Sequence, residues 1–229
     1  MFGDSTTYGI GVSQTEKTFP YILEQMFNQY LLIKKGKESV DVFNAGVPSY
    51  SIYQGYQTYL NYLLNLTHWD YIVISFGWNH GLLQSNWQNI SNNLESRKGF
   101  LRVRNLLKRL RTYNLLSQVF QKFIKGEITD YKGYENIYGE IVKVAKEKNS
   151  KVVIWPLIIQ GEGSKAAEKL NSISRKIANR NNSFFVDLNP QFKKVGKDIN
   201  WVDSIHFGPK GHSVLAEELF HTIKKDIFR

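Results

Sequence analysis

Cysteine is absent from this 229-residue chain. Its absence removes disulfides, thiol nucleophiles and thiolate-bound metal together, while leaving the compartment open. Long apolar runs are missing too: nothing approaches the ~18 residues that a membrane-spanning helix needs. No signal-peptide pattern is visible. That absence carries little weight, because the sequence is expected to lack its natural start for a reason given below, and the localisation stays unassigned. No His, Asp or Glu cluster has metal-ligand spacing, and no G-x-S-x-G elbow occurs. The stretch GIGVSQ (9–14) has neither the third glycine nor the preceding strand of a dinucleotide fingerprint. No metal and no organic cofactor are expected.

Acidic side chains are in deficit, 20 against 30 Lys and Arg, leaving a net charge of +10. The lysines are scattered, which reads as a solubilising surface. Basic density peaks in SRKGFLRVRNLLKRLRTYN (96–114), where Val103, Leu106, Leu107 and Leu110 recur at helical spacing among Arg102, Arg104, Lys108, Arg109 and Arg111. The basic helix over 100–112 reads first as a solvated face, with steering of an anionic substrate or contact with a membrane surface as alternatives. No zinc-finger spacing or paired RNA-binding aromatics accompany it, so no nucleic-acid partner is expected. Nothing in the sequence fixes the oligomeric state.

What is present is a core. Hydrophobic residues make up 42% of the chain, enough for one domain over 1–229. Short apolar runs at 39–46, 69–77, 151–158 and 183–188 read as strands, the second being β-branched and suited to burial on both faces. Helical periodicity fills 16–33, 52–66, 131–148 and 164–180, and a last helix opens at Pro209, a favoured first-turn position. Such alternation predicts an α/β fold, a parallel sheet with helices on both faces. About 50 residues after SFGWNH carry no strand; 81–130 is expected to be a helical insertion capping the sheet's carboxyl edge, bearing Trp87 and Tyr113.

In parallel sheets ligands gather at the carboxyl ends of the strands. Four short stretches fall there: Gly3-Asp4-Ser5, Asn44-Ala45-Gly46, Gly77-Trp78-Asn79 and Asp203-Ser204-Ile205-His206. Acyl transfer needs a hydroxyl, a base, a carboxylate to orient the base, and donors for an oxyanion. Ser5 supplies the first and His206 the second, with Asp203 three residues away on the same turn of chain. Gly46 offers a backbone N–H and Asn79 a side-chain amide. Taken singly each residue also reads as a cap, turn or packing residue; the ordered set does not.

The four blocks GDST, NAGVPSYS, SFGWNH and WVDSIHFGPKGH resemble those of the SGNH/GDSL hydrolase superfamily. The resemblance covers nearly the whole chain outside about 81–130. It implies a three-layer α/β/α sandwich with a mostly parallel, flavodoxin-like five-stranded sheet, and a cofactor-free ester or thioester hydrolase. It places the nucleophile at Ser5, the base and its carboxylate at His206 and Asp203, and the oxyanion donors at Ser5, Gly46 and Asn79. The expected substrate is a small-molecule or glycan ester, short acyl or acetyl. The rivals are an O-acetyltransferase acting on a glycan and a non-catalytic relative. Two departures stand out. His80 occupies the place of the Asp in the usual Gly-x-Asn-Asp block. The first strand is reduced to Met1-Phe2, so Met1 is expected to be an artificial or misassigned start.

Overall fold

The structure, a computed structural model, describes residues 1–80, 130–160 and 165–227. The expected helical cap, the basic helix over 100–112, Trp87 and Tyr113 lie outside the described residues.

The chain runs β1 (Phe2–Gly3), α1 (Ser5–Tyr8), α2 (Phe19–Ile33), β2 (Ala45–Gly46) and α3 (Ile52–Thr58). α3 passes through a π-turn, Tyr59–Leu63, into α4 (Leu64–Leu66). Then follow β3 (Tyr71–Ser75), α5 (Tyr131–Glu147), β4 (Lys151–Ile154), α6 (Lys165–Arg180), β5 (Phe184–Phe185), α7 (Asn189–Val195) and α8 (Pro209–Ile227). The strands form one sheet in the order β2-β1-β3-β4-β5, every pair parallel. The sheet is the expected five-stranded one and is wholly parallel among the described residues.

Side chains alternate across the strands, and the alternation sorts them into two cores. Ile72, Ile74, Val152 and Ile154 face α3, α5 and α6 with Ile52, Tyr138, Ile141, Leu170 and Ile177. Val73 and Val153 face the opposite layer, where Phe19, Leu23 and Phe27 of α2 meet Leu215 and Leu219 of α8. All of these are buried. Helices thus cover both faces, the three-layer arrangement expected.

The strands are shorter than their apolar runs, for identifiable reasons. Over 39–46 only Ala45 and Gly46 pair, because β1 offers Phe2 and Gly3 as partners; Ala45 N–H also donates to Met1 O at 2.7 Å and the Met1 amino group to Phe43 O at 2.6 Å. Beyond Met1, a cavity of ≈ 30 Å³ lies between Phe43, Ala45, Tyr71 and Ile72. Over 151–158 the ladder ends at Ile154, just before Trp155-Pro156, and the proline has no N–H to give. Asn171 of α6 then stands in for a neighbouring strand: its Oδ1 accepts from Leu157 N–H at 2.7 Å and its Nδ2 donates to Leu157 O at 2.8 Å.

One imidazole joins the two outer helices on the α2/α8 side. His212 of α8 is fully buried, stacks on Phe19 at 5.9 Å, and its Nδ1 accepts from Phe19 N–H, an otherwise unpaired donor in the first turn of α2, at 3.2 Å. Burial holds its pKa down at about 4. The folded state therefore resists a proton that the unfolded chain accepts near 6.5, so the stability contributed by neutral His212 is lost as pH falls below about 6.5. His212→Gln keeps an acceptor for Phe19 N–H and removes the titration. Urea denaturation of variant and parent at pH 7 and pH 4 should show the stability difference moving by about 3 kcal/mol in the variant's favour at the lower pH; a pH-independent difference would contradict this account.

Candidate active site

β1 delivers Gly3 and Asp4 to the carboxyl edge of the sheet, where the chain turns at once into α1. Asp4 starts the helix, its Oδ1 accepting from Thr6 N–H at 3.1 Å. Gly9, in the left-handed region at φ 106°, ends it by donating to Ser5 O. Ser5 is thereby fixed as the first helical residue, at the end of a strand held on both sides. Gly3 allows the turn to close: a Cβ there would fall 2.1 Å from Thr7 Oγ1 and 2.5 Å from Ser75 O.

The opposing wall comes from the segment before α8. Trp201 and Phe207 form an antiparallel bridge, Val202 N–H donates to His206 O at 2.9 Å, and Gly208 N–H donates to Asn200 O at 2.9 Å. Phe207 is buried against Phe192, Trp201 and His212, with centroids 5.0, 5.9 and 4.8 Å away. These contacts pin both ends of a short loop whose crest carries Asp203 and His206.

Across 201 residues of sequence, His206 Nε2 stands 2.8 Å from Ser5 Oγ. On the other side of the ring, Nδ1 stands 2.6 Å from Asp203 Oδ2. An ionised carboxylate only accepts, so Nδ1 carries the proton and Nε2 is left to accept from the serine hydroxyl. Asp203 Oδ1 accepts from Ile205 and His206 N–H, both at 2.8 Å. Partial desolvation pushes the Asp203 carboxyl up. The hydrogen bonds from the His206 ring and the two backbone N–H groups outweigh it, and together with the imidazole's charge they hold it at about 2. It is charged throughout the neutral range.

The expected donors lie nearby and are engaged within the protein. Gly46 N–H donates to Asn44 Oδ1 at 3.0 Å, and Asn79 Nδ2 donates to Tyr50 O at 3.3 Å. Gly46 is held there by its lack of a side chain, since a Cβ would sit 2.2 Å from Tyr8 N and 2.6 Å from Thr7 C. His80 is fully buried, stacked on Tyr53 at 5.6 Å and edge-on to Tyr134 at 5.0 Å. It packs beneath the Asn79 turn, whereas the ring that meets Ser5 is that of His206. His68 is exposed, 3.8 Å from Asp70.

Sequence reasoning missed three features. Asn44 ties β2 to α1, its Nδ2 donating to Tyr8 O at 3.3 Å while Oδ1 holds Gly46; an Asn two residues before the glycine, at a strand end, was the available signal. Ser49 stands at φ 65°, a left-handed position for which its residue type gives no cue. Asp4 stands out in the sequence only as part of the Gly3-Asp4-Ser5 stretch, and its burial is visible only in three dimensions.

A parallel sheet thus carries a serine-bearing turn at its carboxyl edge, faced by an aligned imidazole and carboxylate. The model of the GDSL-like lipase/acylhydrolase family matches residues 1–214, and the chain belongs to that family. Its fold is shared with an acetyl xylan esterase, AlAXEase (18% identity, 97% of each chain, TM-score 0.65). It is also shared with the acetylxylan esterase Axe2 from Geobacillus stearothermophilus (17%, 97% of this chain and 91% of that one, TM-score 0.65). A third similar structure is a psychrotrophic esterase from Pseudoalteromonas sp. (15%, 100% of this chain and 97% of that one, TM-score 0.65). No curated protein matches the chain.

The contact of Gly46 with α1 generates a test. Gly46→Ala forces backbone apart beneath Ser5, and overpacking of this kind costs about 3 kcal/mol or more when the clash is with main chain. A lowered urea midpoint, accompanied by loss of esterase activity, is expected; a variant as stable as the parent would show that β2 can move freely away from α1.

Proposed function

We propose that this ester hydrolase works through an acyl-enzyme on Ser5 and that its substrates are short acyl esters, with acetyl groups on carbohydrate as the leading class. The observation that carries the mechanism is the unbroken line Ser5 Oγ, His206 Nε2, His206 Nδ1, Asp203 Oδ2, with gaps of 2.8 and 2.6 Å.

Ser5 Oγ attacks the ester carbonyl carbon as His206 Nε2 takes its proton. Asp203 holds the ring in the correct tautomer and stabilises the imidazolium. The carbonyl oxygen becomes an oxyanion, and the N–H groups of Ser5 and Gly46 with the Asn79 amide receive it. For Gly46 and Asn79 this is an exchange of acceptor, from Asn44 Oδ1 and Tyr50 O to the oxyanion. Collapse expels the alcohol, which takes the proton back from His206. Water then attacks the acyl carbon with the same base, and Ser5 is released.

Two observations support the substrate class. Tyr8, Ile10 and Val202, 55%, 37% and 56% exposed, leave apolar surface on the two segments that carry Ser5 and Asp203. Two proteins sharing the fold are named for acetyl removal from xylan.

Ser5→Ala should lower kcat/KM for p-nitrophenyl acetate by about 10⁴-fold or more and abolish labelling by a fluorophosphonate. Undiminished turnover would refute the serine mechanism. Release of acetate from acetylated xylo-oligosaccharides tests the substrate; acetyl transfer to an added sugar in place of hydrolysis would favour a transferase. Asn79→Ala should cost on the order of 100-fold in kcat with little change in KM, and a pure KM effect would exclude an oxyanion role.

A further inference from the structure

Asp4 precedes the nucleophile and is 3% exposed. Its Oδ1 caps α1 through Thr6 N–H at 3.1 Å. Its Oδ2 is buried and has no hydrogen-bond partner among the described residues. A cap alone does not call for this, since Ser, Thr or Asn caps a helix as well without a second, charged oxygen to bury.

Three titratable groups feel or face this carboxyl among the described residues. Tyr134 and Tyr138 of α5 feel its charge, but their hydroxyls are committed, donating to Phe76 O at 2.7 Å and Ile74 O at 3.1 Å. Burial first, with the Asp4 charge adding to it, pushes both phenols above their usual range; neither carries charge near neutral pH. The third is His206, from the loop before α8, and its charge acts favourably on the Asp4 carboxylate. Among the described residues, no Lys or Arg is among the charges acting on Asp4. Among the described residues, the counter-charge available to the buried carboxylate is therefore the imidazolium that forms during turnover.

We propose, building on the serine-hydrolase reading above, that Asp4 is a positioning residue that titrates with the site. Ionised, it supports the imidazolium on His206 from behind the nucleophile; protonated, it goes on capping α1 and withdraws that support. No proton passes to Asp4 in the reaction: the serine proton moves from Oγ to Nε2 and back to the leaving alcohol. Burial pushes the Asp4 carboxyl up to about 6, against the opposing pull of Thr6 N–H and the His206 charge. The switch then falls where an esterase works, far above the ordinary range of an aspartate.

The acid limb of kcat/KM should accordingly steepen around pH 6, since Asp4 must lose its proton for full activity. Asp4→Asn retains an oxygen for Thr6 N–H and cannot ionise. It should give a limb no steeper than tenfold per unit and a plateau about tenfold lower, the effect of removing one opposite charge, with KM for p-nitrophenyl acetate nearly unchanged. A variant with the parent's limb shape would overturn the proposal whatever its plateau, because loss of a cap lowers activity without reshaping the profile. Asp4→Ser provides the same comparison with a shorter cap. The intact parent provides a reading independent of any variant: the 13C carboxyl resonance of Asp4 should titrate near pH 6, and titration near 4 would overturn the proposal. The serine reading fails separately, through an active Ser5→Ala.

Discussion

The pairing of Phe2 and Gly3 between two strands is the constraint on which the site depends. Phe2 lies opposite Ala45 on one side and Ile74 on the other, and Gly3 lies opposite Gly46 and Ser75. Three strand ends are thus brought level within one register. The residues that follow each of them reach the same edge: Ser5 from β1, the Asn44–Tyr50 loop around β2, and Asn79 after β3. The ladder is only two residues long, so its precision comes from close packing at its glycines. Gly3 meets the Thr7 side chain and the Ser75 carbonyl; Gly46 meets the backbone of Thr7 and Tyr8.

Electrostatics then divides labour between two carboxylates. Asp203, half exposed and bonded by two backbone N–H groups and a ring, is held charged far below neutrality. Asp4, buried with one oxygen bare, is pushed toward the neutral form. The contrast in their surroundings, rather than in their chemistry, separates the two.

The sequence carried the fold class because the apolar runs and the 3.6-residue periodicities both survive into the structure: Tyr131–Glu147 and Lys165–Arg180 begin and end within a residue of the pattern, and Pro209–Ile227 opens at the expected proline. The order of the blocks bearing Ser5, Asp203 and His206 pointed to one sheet edge, and their side chains meet there. The sequence did not carry strand lengths, since an apolar run does not say how much partner lies beside it; Pro156 and the short β1 decide that. It offered Asn44 two residues before Gly46 as a signal but did not fix the bond between them, because a side chain two residues away competes only once the loop has closed. Nor could it separate His80 from His206 by residue type. Burial between Tyr53 and Tyr134 separates them.

The 201-residue separation between Ser5 and His206 has a consequence for how activity arises during synthesis. Ser5 leaves the ribosome first and His206 among the last segments, so a nascent or C-terminally clipped chain holds the serine without its imidazole neighbour. Closing so long a loop is entropically slow. The contact between Ser5 and His206 can form only once the segment before α8 is in place, which makes it a late event and a sensitive reporter of completed folding.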